Sequence, residues 1–405
     1  MFSHEMDLTL SSIIHVLLIM ITVMIAFAPY LRRKMFIMRY TPPGPSGLPL
    51  LGNILQLQRD LWIPFTTWKH EYGDLVFLSV LGQPILVLNS LKTATDLLDR
   101  RADIYSDRPK SIVGNEMLCG GRFMALMNYN SLFKKLRRAI HGGLTKQASA
   151  KYHQFRKRDG ISLVRSLLQD GENWRSNIEV SVVHILLSIL YGRPASEEER
   201  HHAVTKVRWF SEVISYATGP GNYLVEFFTW MRYLPRFVSP WKDKTLKASK
   251  EASTFFQGIY SNGWKDTHEE ASQFENLSKS IHEEQPRYGI DDIDASWVVG
   301  MLYIAGSETT VSQLSWFIVA MANYPNVQEK AQIELDTVVG RDRIPNIQDI
   351  DHLPYMQAVV KELFRWAPVT PIGVPHVAAQ DDWYNGYFIP KGTMVLSNIW
   401  AIHRD

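Results

Sequence analysis

An apolar stretch at residues 294–323 constrains the fold of this chain more than any other feature. Asp294 is a suitable N-cap for a helix, and Pro325 marks the start of a new segment directly after the stretch. About thirty helical residues at about 1.5 Å each make a rod of about 45 Å, which is long enough to traverse a large domain. The stretch therefore predicts a central helix with a sizeable core around it.

The segments around this helix predict a mainly α-helical fold with a small β-sheet region. Residues 129–261 have a mostly helical pattern, with breaks at Gly219-Pro220-Gly221 and Tyr233-Leu234-Pro235. Further helices are expected at residues 325–338 and 354–366, and a polar surface loop at residues 267–289. Strand pairs are expected at residues 75–80 with 84–88 around Leu81-Gly82-Gln83, and at residues 382–384 with 387–389 around Asn385-Gly386.

The N-terminal segment predicts a membrane anchor. Residues 8–30 contain no Asp, Glu, Lys or Arg and, as a helix, are long enough to cross a hydrocarbon layer of about 30 Å. Arg32 and Arg33 follow this run and Glu5 and Asp7 precede it, so the positive-inside tendency leaves the rest of the chain in the cytosol. A cleaved signal peptide is the alternative, but no basic segment precedes the run and no Ala-x-Ala site closes it.

A proline-rich segment at residues 41–49 follows the basic residues. Consecutive prolines fix φ and exclude a helix, so the segment predicts a stiff hinge. The expected organisation is an anchor at residues 1–30, a basic and proline-rich hinge at residues 31–49, and a globular domain at residues 50–405.

Charge and cysteine content narrow the classes of function. The chain has 43 Lys and Arg against 41 Asp and Glu, and it carries no zinc-finger or RNA-binding signature, so no nucleic-acid partner is expected. A single cysteine, Cys119, excludes an internal disulfide framework and is typical of a reducing compartment. Asn276-Leu277-Ser278 matches a glycosylation sequon, which a cytosolic location makes a chance occurrence.

The run from Ala305 to Thr310 carries the first candidate chemistry. Gly306 in mid-helix costs up to about 1 kcal/mol relative to Ala, and it lets a flat group lie against the backbone. The hydroxyl of Thr309 can donate to the carbonyl of Ala305 and bend or open the helix locally. Glu308 is an acid in an otherwise apolar stretch, and burial there would raise its pKa. The acid and the alcohol together predict a proton relay, and the alternative is a small-residue helix crossing with Glu308 turned to solvent.

Glu362 and Arg365 are the second candidate. At a spacing of i,i+3 they share a helix face, and on a surface such a pair contributes only about 0.2–0.5 kcal/mol. The residues alone therefore indicate an ordinary surface ion pair.

Taken together, Ala305-Gly306-Ser307-Glu308-Thr309-Thr310 and Lys361-Glu362-Leu363-Phe364-Arg365-Trp366 resemble two helices of the cytochrome P-450 (haem-thiolate monooxygenase) family. These are its oxygen-activating helix and its Glu-x-x-Arg helix. The proline-rich segment resembles the hinge of microsomal members. The runs Ile104-Tyr105-Ser106-Asp107-Arg108-Pro109 and Tyr191-Gly192-Arg193-Pro194 resemble filamentous-fungal members, many of which serve natural-product pathways.

The resemblance implies a cytochrome P-450 fold and hydroxylation of an apolar small molecule. The cofactor would be haem b, with electrons from NADPH relayed by an NADPH-cytochrome reductase at the endoplasmic reticulum membrane. Glu308 and Thr309 would manage protons, and Ala305 and Gly306 would lie at the haem. The Glu-x-x-Arg pair would be buried and would brace the cysteine loop with a third, later arginine.

The resemblance also implies contacts to the haem propionates. The family usually shows Trp-x-x-x-Arg in one helix, where this chain has Phe133 and Arg137, and phenylalanine cannot donate a hydrogen bond. Arg137 also belongs to a basic cluster with Lys134, Lys135 and Arg138, which can equally be a solvated face or a dock for an acidic reductase. His376 stands where the family often places a propionate donor, although a histidine beside a proline is also expected for structural reasons.

In the family, the cysteine loop that ligates the iron lies further towards the C-terminus than Asp405. No metal ligand is therefore expected within this chain, and the domain at residues 50–405 is expected to be partial. Cys119 lies in an apolar stretch that borders the substrate pocket of the family, where little favours a thiolate. The two expected functions are a monooxygenase of this family, and a truncated, non-catalytic remnant that does not bind haem normally.

Overall fold

The computed structural model describes residues 33, 36–37, 39–57, 59–219, 221–265 and 276–405, and it is mainly helical. Its α-helices are α1 (Trp62–Tyr72), α2 (Leu91–Ala94), α3 (Ala102–Tyr105), α4 (Ser131–Leu144), α5 (Lys146–Ala150), α6 (His153–Gln169), α7 (Trp174–Tyr191), α8 (Glu197–Thr218), α9 (Pro240–Lys265), α10 (Leu277–Tyr288), α11 (Asp292–Asn323), α12 (Pro325–Val338), α13 (Pro354–Trp366) and α14 (Ile399–Ile402). The predicted anchor at residues 8–30 lies outside the described residues. Within the described ranges, no helix has the length and apolar character to span a membrane.

The remaining regular elements are strands and short helical turns. The strands are β1 (Leu75–Val80), β2 (Gln83–Leu88), β3 (His376–Val377), β4 (Asp382–Tyr384), β5 (Tyr387–Ile389) and β6 (Met394–Ser397). The 3-10 helices are Ile54–Gln56, Met124–Leu126, Leu224–Glu226, Thr229–Tyr233, Arg236–Val238 and Ile347–His352, and π-helical turns cover Thr95–Asp99 and Ile112–Leu118.

The chain divides into two compact units. The sheet unit comprises residues up to Ser106 together with Pro375–Ile402, and the helical unit comprises Asp107–Val374 together with His403–Asp405.

A four-stranded sheet organises the sheet unit, with the strand order β1-β2-β6-β3. The outer pairs are antiparallel, and the central β2–β6 pair is parallel, with Leu86 opposite Val395. Both of these residues are fully buried, in a core that also contains Tyr105 and Ile389. Sequence segments separated by almost 300 residues thus share one apolar core.

Two tight turns set the register of the hairpins. Asn385 and Gly386 both have positive φ (51° and 80°) and connect β4 to β5 as predicted. Leu81 and Gly82 also have positive φ (49° and 84°), so the first hairpin turns on two residues rather than three. Gln83 therefore joins β2, where it pairs with Val80.

The proline-rich segment is non-helical, as predicted, and it is bound to the sheet. The backbone N–H of Phe77 in β1 donates to the carbonyl oxygen of Pro43 at 2.9 Å. A Cβ atom at Gly44 would lie 1.8 Å from the carbonyl oxygen of Phe77, so only glycine permits this approach.

The core of the helical unit lies around the N-terminal half of α11. Trp297 is 2% exposed, and its ring packs against Phe256 and Phe210 with centroids 5.1 and 6.3 Å away. A Cβ atom at Gly300 would lie 2.2 Å from the Phe256 ring, so α9 and α11 approach closely at this point.

The beginning of α11 differs from the prediction. Asp291 is the N-cap, and its carboxylate accepts from the N–H of Asp294 at 2.7 Å. Asp294 lies inside the first turn and pairs with Arg122 at 2.9 Å. The pattern placed the cap three residues too late because both aspartates suit an N-cap.

The predicted surface loop at residues 267–289 is wrong in its second half, which forms α10. Leu277, Ile281 and Gln285 are spaced at i, i+4 and i+8 and are buried. Asn276 caps the helix, because its side chain accepts from the N–H of Lys279 at 2.8 Å. The polar residues that suggested a loop occupy the exposed face of this short amphipathic helix. Residues 266–275 lie outside the described ranges.

Candidate functional site

The surroundings of the central helix α11 change halfway along it. Residues 294–301 are buried, whereas Ala305 and Thr309, one turn apart, are exposed. The Oγ1 of Thr309 donates to the carbonyl oxygen of Ala305 at 2.8 Å, as predicted. The helix stays continuous from Asp292 to Asn323, so this bond does not open it. The hydroxyl proton of Thr309 is occupied by this bond within the helix. The lone pairs of Oγ1 remain available to accept a hydrogen bond from a donor outside the helix.

Gly306 has a packing explanation. A Cβ atom there would lie 3.2 Å from Cδ2 of Leu186 on α7, which is tighter than an ordinary contact. The glycine thus permits a close crossing of α7 and α11, the alternative that the sequence left open. The role of Gly306 at a haem stays a prediction.

Glu308 is exposed, which is the alternative in which its side chain is turned to solvent. Glu308 lines a cavity of about 950 Å³ between α7, α8 and α11. Successive side chains of a helix are about 100° apart around its axis, so Glu308 and Thr309 face different directions. The same cavity is lined by Glu179 and Arg208, whose Oε1 and Nε atoms are 2.6 Å apart. Thr309 does not line this cavity, so the structure places the acid and the alcohol on neighbouring faces of α11.

Arg137 lies on α4 and is exposed, as are Lys134, Lys135 and Arg138. Within the described residues, neither Arg137 nor Arg138 has a hydrogen-bond or ion-pair partner, whereas Lys134 lies 4.4 Å from the ring centroid of Tyr129. The basic face is therefore open to an anionic ligand or partner, and the three interpretations of this cluster stay open.

Phe133, on the same helix, is half-buried and packs against the helical core. Its ring lies 5.6 Å from that of Tyr129, centroid to centroid. The residue at the tryptophan position of the family thus has an apolar role in this chain.

His376 belongs to the sheet unit, whereas the other predicted site residues belong to the helical unit. Its Nδ1 lies 2.6 Å from the carbonyl oxygen of Tyr105, and the residue is half-buried on β3. This contact fixes the ring orientation and matches the structural interpretation of His376. Its role as a propionate donor stays a prediction.

Glu362 and Arg365 form a two-point ion pair on α13, with both N–O distances at 2.7 Å. Their side chains are 58% and 45% exposed, so the pair lies on the surface and not in a buried site as the resemblance implies. The Nη1 of Arg365 also donates to the carbonyl oxygen of His403 at 2.9 Å. Arg404 lies close enough for its charge to lower the pKa of Glu362 further.

Replacing Glu362 by glutamine is expected to lower the free energy of unfolding at neutral pH by at most about 1 kcal/mol, because exposed ion pairs contribute little. Hydrogen bonds from Arg365 hold the pKa of Glu362 below its ordinary value. The contribution is therefore present above the pKa of the unfolded state and is lost as pH falls through the lower folded-state pKa. Urea denaturation at neutral and at strongly acidic pH measures this difference.

The exposed Glu329 on α12 makes no ion pair within the described residues and provides the control, Glu329→Gln. A loss in the free energy of unfolding above about 2 kcal/mol for Glu362→Gln would show that the pair is structurally essential. An equal loss at both pH values would show that the effect does not come from the charge of Glu362.

Cys119 is fully buried in the core of the helical unit, and burial raises the pKa of its thiol. A thiol held in its neutral form is a poor metal ligand. Among the described residues, no group of His, Cys, Asp and Glu side chains could hold a metal ion.

A bound haem needs an open surface on its oxygen side, donors for its propionates and an axial ligand. The exposed face at Ala305 and Thr309 fits the first requirement. The exposed guanidinium of Arg137 fits the second. Cys119 does not fit the third, because its thiol is enclosed by apolar side chains. The residues thus fit the oxygen side and the propionates of a haem.

The sequence reasoning missed an exposed apolar surface in the helical unit. It lies on the 3-10 turns between α8 and α9, and we call it the aromatic surface. Its signal is a cluster of aromatic residues in a segment interpreted only as a helix break. Its exposed members are Leu224, Phe227, Phe228, Trp230, Tyr233 and Phe237.

Comparison with known proteins gives concordant results for sequence and fold. The model of the cytochrome P-450 family matches residues 42–405. A cytochrome P-450 monooxygenase of Armillaria gallica is 41% identical over 367 residues, which cover 91% of this chain and 70% of that protein. A cytochrome P-450 monooxygenase of Amanita muscaria is 36% identical over 381 residues, which cover 94% of this chain and 66% of that protein.

A solved structure of a zebra fish cytochrome P-450 with progesterone has a TM-score of 0.72 and 26% sequence identity. The match covers 86% of this chain and 81% of that chain. With the family model matching most of the sequence, the fold and the relatives identify this chain as a member of the cytochrome P-450 family of haem-dependent monooxygenases.

Proposed function

We propose that this protein is a monooxygenase that hydroxylates an apolar small molecule in fungal secondary metabolism. The proposal rests on the central helix α11. Its residues 294–301 are buried, whereas Ala305 and Thr309 form an exposed face. The fungal monooxygenases that resemble this chain along nine tenths of its length support the same assignment.

The residues of the chain would hold the cofactor and handle protons. Haem b, when bound, supplies the activation of dioxygen. Arg137 of the helical unit would hold a propionate. Thr309 would accept a hydrogen bond at Oγ1, because its proton is directed to Ala305. Glu308 would exchange protons with solvent through the cavity that it lines.

Electrons would come from NADPH through a membrane-bound cytochrome reductase. The exposed cations of α4 support this partner, because an acidic docking surface would complement them. Replacement of these cations should lower the association rate most at low ionic strength.

We place the protein at the endoplasmic reticulum membrane with its catalytic domain in the cytosol. The apolar run at residues 8–30 supports an anchor. The aromatic surface supports a second contact, because Trp and Tyr side chains favour the membrane–water interface. Arg232 and Arg236 in the same segment add little to this contact, because they pair with Glu116 at 3.0 Å and Asp243 at 3.9 Å.

The second candidate is a protein that binds a ligand or a partner without catalysis. The specific observation in its favour is the position of Cys119, the single cysteine of the sequence, inside the helical core. A thiolate-ligated haem then requires a cysteine other than this one.

The carbon monoxide difference spectrum of the reduced protein separates these candidates. We expect no thiolate-haem signature from residues 1–405 or from Cys119→Ala, because the Cys119 thiol is buried and neutral. A chimera in which the cysteine loop of the family follows Asp405 should show the signature and, with reductase and NADPH, oxidise a substrate. A signature in residues 1–405 that Cys119→Ala removes contradicts the assignment of Cys119. A chimera that folds but binds no haem would contradict the proposed monooxygenase activity.

A further inference from the structure

A second cavity lies in the helical unit between α8 and α9, beside the C-terminal end of α7. Its volume is about 510 Å³, within the range of small-molecule sites. None of the residues lining it belongs to α11, so it is separate from the face at Ala305 and Thr309.

The floor of this cavity is apolar. Tyr191, Ala203, Phe255 and Ile259 line it and are buried against the helical core. Gly258 lies among them on α9, and a Cβ atom there would meet no atom within 4 Å. A mid-helix glycine costs up to about 1 kcal/mol relative to alanine, and no close contact requires it here. The glycine therefore leaves open space at the floor.

The rim of the cavity is basic. Both acids that line it are paired: Glu251 with Lys206 at 2.6 Å, and Glu199 with Arg193 at 2.8 Å. Lys247 and Lys250 also line the cavity, are exposed, and have no hydrogen-bond or ion-pair partner within the described part of the chain.

We propose that this cavity binds an aliphatic carboxylate, with its chain on the apolar floor and its carboxylate between Lys247 and Lys250. Two unpaired cations at the edge of an apolar cavity complement a ligand that has one anionic end and an apolar body. The volume and the single basic rim favour a single-chain acid over a two-chain phospholipid.

The test uses the full chain held in zwitterionic phosphatidylcholine nanodiscs, with empty nanodiscs subtracted, and calorimetric titration with octanoate and decanoate. If the chain of the ligand is buried, each methylene should tighten binding about fourfold, which makes decanoate about fifteenfold tighter than octanoate. No haem is needed for this measurement, so its outcome is independent of the proposed monooxygenase activity.

Lys247→Gln combined with Lys250→Gln should weaken decanoate binding about three- to tenfold. The control, Lys244→Gln combined with Lys279→Gln, removes the same charge from exposed lysines outside the cavity and should leave binding unchanged.

Gly258→Leu should fill the floor and weaken decanoate binding at least about tenfold, while the rim stays intact. Gly160→Leu on α6 is the matched control, because Gly160 is also a helical glycine with no atom within 4 Å of its Cβ position. Equal affinity for octanoate and decanoate, equal effects of the two glycine variants, or no binding of decanoate would each overturn the proposal.

Discussion

Replacing Thr309 by alanine is expected to lower product formation about a hundredfold in the chimera that carries the cysteine loop of the family. A positioned proton-handling group contributes about 10²- to 10⁴-fold to a rate. The Oγ1 of Thr309 is fixed by its bond to the carbonyl of Ala305, so its lone pairs have a defined direction on the exposed face of α11. Alanine favours a helix more than threonine does, so no loss of folding is expected. The measurement is product formed per NADPH consumed.

Thr309→Ser keeps the hydroxyl and is the matched control, for which we expect a loss of less than about tenfold. Glu308→Gln should lower product formation independently, because Glu308 lines a cavity that Thr309 does not line. Unchanged product formation in Thr309→Ala would remove the hydroxyl from the mechanism and leave Thr309 as a helix residue only.

Replacing Trp297 by alanine is expected to lower the free energy of unfolding by about 3–5 kcal/mol, because the change leaves a large cavity in the core. Trp297 is 2% exposed and lies edge-on to the Phe256 ring, with the ring planes at 78°. Such aromatic pairs add about 0.5–1.5 kcal/mol to the contribution from burial. Urea denaturation followed by circular dichroism gives the value. Domains are stable by about 5–15 kcal/mol, so the variant should be close to unfolding at physiological temperature.

Trp230→Ala on the aromatic surface provides the comparison, because Trp230 is 61% exposed. Trp230→Ala should change the free energy of unfolding by no more than about 0.5 kcal/mol. A loss below about 1 kcal/mol for Trp297→Ala would show that the core around α11 rearranges to fill the space.

The elements that local signals specify were predictable. The bounds of α12 and α13 agree with the prediction, since each begins with a proline at the first helical turn. The β4–β5 hairpin agrees because Asn385 and Gly386 tolerate the left-handed conformation that its turn requires. The mainly helical class with a small sheet followed from the same signals.

Within the candidate site, contacts inside one helix were predictable, whereas the surroundings of its side chains were not. The bond from Thr309 to Ala305 depends on spacing within one helix, and it is present. The exposure of Glu308 depends on how α7 and α8 pack, which no local pattern encodes. The helix α10 was missed for a related reason, because the burial of Leu277 and Ile281 depends on packing against distant elements.

The position of Asn276 has a practical consequence for mapping the orientation of the chain across a membrane. Its side chain is 3% exposed, and its amide nitrogen donates to the carbonyl oxygens of Tyr191 and Gly263. Oligosaccharyltransferase cannot reach an amide held in this way in the folded protein, and a glycan added before folding would prevent this packing. A missing glycan at this sequon therefore does not distinguish a lumenal from a cytosolic location, and a topology assay needs an acceptor site engineered on an exposed turn.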